Sequence, residues 1–62
     1  MRLEIKVGDH VYVPVLNKGD RYRWTPGEVE KMLGRCIYVR YQIGEVRLLG
    51  CWFPEDIRRR SE

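Results

Sequence analysis

The feature that most constrains this chain is a period-two alternation of apolar and polar residues, in runs too short to be amphipathic helices. Residues 10–16 place Val11, Val13 and Val15 on one face and His10, Tyr12 and Leu16 on the other. Successive side chains of a β-strand point to opposite sides of its sheet, so such a run reads as a half-buried strand. Pro14 inside it argues for an edge or a bend. Residues 35–42 repeat the pattern, with Ile37, Val39 and Tyr41 facing one way and Cys36, Tyr38 and Arg40 the other. Residues 1–7 alternate Leu3, Ile5 and Val7 with Arg2, Glu4 and Lys6, the pattern of a short entering strand or an ordered lead-in, which Gly8-Asp9 ends.

Between these runs lies turn chemistry. Asn17-Lys18-Gly19-Asp20 has the composition of a loop, which is expected to continue through Arg21-Tyr22-Arg23-Trp24, where charge alternates with aromatic rings. Pro26-Gly27 then punctuates the start of a strand over residues 27–33, with Val29 inward between Glu28 and Glu30. A helix is the competing reading of that segment, and Gly34 together with the alternating run beyond it weighs against it. Ile43-Gly44-Glu45 reads as a tight hairpin, residues 46–51 as a fourth strand, and Pro54-Glu55-Asp56 as one helical turn leading into a last short strand at Ile57-Arg58. Five short strands in a chain of this size favour a small closed or nearly closed barrel over a flat sheet with open edges. One all-β domain over residues 1–58 is expected, with residues 59–62 as a tail that frays.

At 62 residues there is room for one thin core, since a chain of this length buries about 60% of its unfolded surface. Hydrophobic residues at 44% and charged residues at 34% match a globular domain rather than a disordered tail. Twelve Lys and Arg against nine Asp and Glu give a net charge of +3, and nine of the 12 cations are arginine, whose planar guanidinium suits phosphates and bases. Enzymatic chemistry finds little to work with: His10 is the sole histidine and has no paired nucleophile, so no catalytic activity is expected. Cys36 and Cys51 lack the spacing of a zinc site or a disulfide framework and read as ordinary thiols. No cofactor and no metal is called for. The absence of a long apolar run or a secretory pattern leads to the expectation of an intracellular protein, nuclear or cytoplasmic according to its source, without a membrane partner.

Taken in order, Val7-Gly8-Asp9-His10-Val11-Tyr12-Val13, Trp24-Thr25-Pro26-Gly27-Glu28-Val29, Tyr38-Val39-Arg40-Tyr41 with Gly44, and Pro54-Glu55-Asp56-Ile57-Arg58 resemble an SH3-like barrel of the Tudor-like group. The resemblance spans nearly the whole chain. It implies a five-stranded barrel with a short helical turn before the last strand. The same order of motifs is similar to the C-terminal domain of retroelement integrases. The small plasmid-borne dihydrofolate reductases share the Gly-Asp motif and Phe53-Pro54, but their Val-Gln-Ile-Tyr run is replaced here by Gly50-Cys51-Trp52-Phe53, so reductase activity is not expected.

The two resemblances imply different ligands. Likeness to integrase C-terminal domains implies DNA binding, for which Arg21, Arg23, Arg35, Arg40 and Arg47 would meet phosphates while Trp24, with Tyr22, offers a stacking surface. Likeness to Tudor domains implies an aromatic cage for a methylated Lys or Arg on a protein tail, with Trp24 and Tyr41 at two cage positions and Tyr22 and Trp52 as additions. A cation is held there by the negative faces of converging rings, helped by a carboxylate nearby. The sequence leads to a nucleic-acid-binding module, with a methylated-peptide reader or other protein-interaction module as the alternative, in either case acting within a larger protein or complex. Bland readings compete at each position: the arginines are interspersed with Glu28, Glu30, Glu45, Glu55 and Asp56, Tyr41 shares a face with core residues, and Trp52-Phe53 would serve equally to cap the barrel.

Overall fold

A computed structural model of the chain describes residues 5–17, 19 and 21–59. The expectations that fall on residues 1–4, Lys18, Asp20 and residues 60–62 lie outside the described residues. The fold is all-β. Strands β1 (His10–Asn17), β2 (Arg21–Leu33), β3 (Cys36–Ile43), β4 (Val46–Trp52) and β5 (Arg58–Arg59) are joined by tight turns and one 3-10 turn over Pro54–Asp56. They form one antiparallel sheet in the order β4-β3-β2-β1-β5. The sheet is not closed into a barrel, and β4 and β5 are its two edges.

The alternation read from the sequence becomes two faces. Val11, Val13, Val29, Ile37, Val39 and Ile57 are buried together, with Ile5, Val15 and Trp52 packed against them. Register explains the set: Val11 lies opposite Gly27, Val13 opposite Thr25, Val29 opposite Val39, and Ile37 opposite Trp52, and cross-strand partners share a face. Thr25 is the one buried polar residue among those described, and its hydroxyl donates to the Arg23 carbonyl at 3.1 Å, so no polar group is stranded. Gly27 allows β3 to press close, because a Cβ there would lie 2.6 Å from a Val39 methyl and 2.9 Å from the Arg40 carbonyl oxygen.

Three expectations are corrected. Residues 21–24, read as a loop, belong with Thr25 and Pro26 to the first half of the 13-residue strand β2, paired residue by residue with β1 from Arg21–Asn17 to Glu28–His10. Pro14 and Pro26 are tolerated there because the ladders on their far sides have ended: β5 reaches no further than Tyr12 and β3 no further than Gly27. A missing N–H thus breaks no bond to a further strand. Of the two readings of the lead-in, the described residues 5–9 follow the ordered one and form a turn, with the Asp9 carboxylate accepting from the Lys6 N–H at 2.9 Å, Gly8 at φ 95°, and Gly8 and Asp9 hydrogen-bonded to the Val29 backbone. Strand β4 extends through Trp52. The last strand lies one residue later than expected, at Arg58–Arg59, with Arg59 paired to Val11.

Candidate functional site

Along β2 the residues alternate between the core side and the outside, and this decides which ring meets which charge. Thr25 and Val29 face the core, so Arg21 and Arg23 carry the parity of that side beyond its end, while Tyr22 and Trp24 stand on the opposite face. Trp24 pairs with Pro14, and Tyr22 with Leu16, so both rings sit beside Pro14 on one outer surface. Tyr22 remains 70% exposed and Trp24 42%, which excludes a core role. From the edge strand, Arg58 pairs with Tyr12 on the same surface and lays its guanidinium over the Trp24 ring, 4.4 Å from the centroid.

The far wall comes from the end of β4 and the 3-10 turn. Gly50 seats Trp52: a Cβ at Gly50 would lie 2.5 Å from the indole, so only a glycine lets the ring fold back over the strand. There Trp52 meets Tyr41 edge to face, with centroids 5.6 Å apart and planes at 66°, a favoured aromatic geometry. The 3-10 turn starts with Pro54, closes with the Ile57 N–H donating to the Pro54 carbonyl at 3.2 Å, and presents Glu55 and Asp56. Pro14, Tyr22, Trp24, Trp52, Glu55, Asp56 and Arg58 together line an open groove of about 610 Å³.

Three of the four residues expected of an aromatic cage, Tyr22, Trp24 and Trp52, therefore share one groove, and the fourth, Tyr41, supports Trp52 from behind. The arginines are dispersed. Arg35 is held by Glu55, with its Nη2 at 2.9 and 3.1 Å from the two carboxylate oxygens, and lies over Phe53. Arg40 is paired with Glu30 at 2.9 Å. Arg47 borders a second, shallower depression of about 270 Å³ with His10, Glu28, Arg40, Tyr41 and Gln42. Arg21 and Arg23 lie at the distal end of the β1–β2 hairpin.

Sequence reasoning missed Pro14, Glu55, Asp56 and Arg58 as groove residues. A signal existed for the carboxylates, since a cation cage wants an acid nearby, but residues some thirty positions from Trp24 are joined to it only by the β1–β5 pairing. On the outer face of β3 and β4, contact with the Cys36 thiol pushes the Cys51 thiol up from its ordinary value, and both cysteines are free. No group of three or more His, Cys, Asp or Glu residues suited to a metal occurs among the described residues, and no helix among them is long and apolar enough to cross a membrane. The chain matches no family model, no curated protein and no solved structure.

Proposed function

We propose that this chain is a binding module of SH3-like, Tudor-like architecture that takes an extended protein segment in the groove between the β1–β2 hairpin and the 3-10 turn, anchored by a cationic side chain. The architecture is supported by the antiparallel meander, in which β1 pairs with both β2 and β5, and by the single 3-10 turn between β4 and β5. The ligand reading rests on one observation above the rest: a guanidinium already lies on the Trp24 face beside Glu55 and Asp56. A groove that accommodates the cation of Arg58 has the chemistry to hold a methylated lysine or arginine from a partner, through ring quadrupoles and the Asp56 carboxylate, with Glu55 already paired to Arg35.

The test is calorimetric titration of the chain with a trimethyl-lysine peptide and its unmodified counterpart, repeated for Trp24→Ala. The expected result is binding that weakens about 2- to 30-fold on losing the ring, the equivalent of the ~0.5–2 kcal/mol of a cation–π contact. Equal affinity for native and Trp24→Ala protein would overturn the reading. Nucleic-acid binding is the second reading, favoured by the grouping of Arg47, Arg40, His10 and Gln42 around the second depression. Its signature is steep salt dependence, and Arg47→Glu should abolish it while leaving peptide binding intact.

A further inference from the structure

Two thiols that the groove does not use lie together on the outer face of the β3–β4 pair. Cys51 stands opposite Tyr38, and Cys36 comes two residues before Tyr38 on the same face, so the cysteines are diagonal neighbours across the ladder. Cys51 is exposed and Cys36 half-buried, and Cys36 is the neighbour that pushes the Cys51 thiol up from its ordinary value. Diagonal Cβ atoms lie at somewhat less than ~7–8 Å, whereas a disulfide needs about 3.5–4.5 Å. The register therefore disfavours a direct sulfur–sulfur bond and favours an atom held between the two sulfurs.

We propose that Cys36 and Cys51 form a two-thiolate site for a soft monovalent cation of the Cu(I) class. Two metal–sulfur bonds, each about 2.3 Å for zinc, supply the reach that a disulfide lacks. The number of ligands selects the ion. Zinc in a structural site asks for four donors, and no third His, Cys, Asp or Glu joins the pair among the described residues. Cu(I) prefers thiolates and accepts low coordination. On binding, each thiol releases a proton to solvent, two copper–sulfur bonds form, and copper remains Cu(I), so no oxidant or reductant takes part.

The bis-thiolate complex carries one net negative charge, which the Lys31 ammonium faces from across Tyr38. Lys31 lies over the Tyr38 ring, 5.1 Å from the centroid, with Tyr38 between it and Cys51 in the register, whereas Arg35, which precedes Cys36, is already paired with Glu55 at 2.9 Å. The next charges along that face, Arg40 and Glu30, are already paired.

The experiment is an anaerobic titration of the intact chain with cuprous ion against a chromogenic Cu(I) chelator, with thiol counting at each point and sedimentation to fix the mass. The expected result is one ion per monomer, with both thiols shielded together and binding lost in Cys36→Ser and in Cys51→Ser. Circular dichroism of the variants confirms that they remain folded, and the shielding of both thiols in the native chain is read independently of any substitution. Retention of all copper by the chelator, shielding of one thiol alone, native affinity in either serine variant, or one ion bridging two chains would each overturn the proposal.

Discussion

With its guanidinium 4.4 Å from the Trp24 centroid, Arg58 holds the ring face that a ligand cation needs, so binding must displace it or stack beside it. An exposed cation–π contact is worth about 0.5–1 kcal/mol. Arg58→Ala should therefore tighten binding of a trimethyl-lysine peptide about 2- to 5-fold by calorimetry. Weaker binding would mean that Arg58 touches the ligand directly, as it would an anionic one. Gly50 acts one step further back, through the ring it seats. A methyl there collides with Trp52 at 2.5 Å, and overpacking of that kind costs about 1–3 kcal/mol. Gly50→Ala is expected to lower the urea midpoint, alter the near-ultraviolet dichroism of the indole and weaken peptide binding together. A change in stability with native affinity would show that the position of Trp52 does not matter to the groove.

Strand β3 is the element that the core depends on most, because it is flanked by β2 and β4 and buries both Ile37 and Val39. Ile37→Ala should cost about 2–5 kcal/mol. A domain of this length has only ~3–9 kcal/mol in total at the usual stability per residue, so the variant is expected to be largely unfolded at 37 °C, as read by thermal denaturation. Strands β1 and β3 were legible in the sequence because each is a single run of alternation whose faces match its burial, and β4 because the Ile43-Gly44-Glu45 hairpin leads into it. Strand β2 was not. Its first half carries Pro26-Gly27 and an Arg-Tyr-Arg-Trp run that local chemistry assigns to a loop, and only pairing with every residue of β1 makes it a strand. Its second half changes face at a bulge between Val29 and Lys31, which brings Met32 rather than Lys31 opposite Ile37. The candidate site was half legible for a related reason: Tyr22, Trp24 and Trp52 announce themselves as aromatics, while Glu55, Asp56 and Arg58 gain meaning only when β5 docks beside β1.

At the scale of the molecule, the net charge of +3 and the local charges of the groove oppose each other. A basic peptide approaching from a distance meets a positive body, and only within the groove does it meet Glu55 and Asp56. Both effects are screened over the same Debye length of about 10 Å at 0.1 M salt, so they fade together. Surface ion pairs such as Arg40–Glu30 and Arg35–Glu55 add ~0–1 kcal/mol each to stability and do not alter this balance. Affinity for a cationic peptide should consequently change by less than about 3-fold between roughly 50 and 200 mM salt, since ring faces rather than long-range fields hold it. A duplex held by three phosphate contacts would lose about 40-fold over the same range, from a slope near −0.9 per contact. Measuring both ligands across that range by fluorescence anisotropy separates the two readings on the native chain, without any substitution. A steep slope for the duplex, with no measurable peptide binding at any salt concentration, would transfer the function from the aromatic groove to the arginine-bearing surface around Arg47.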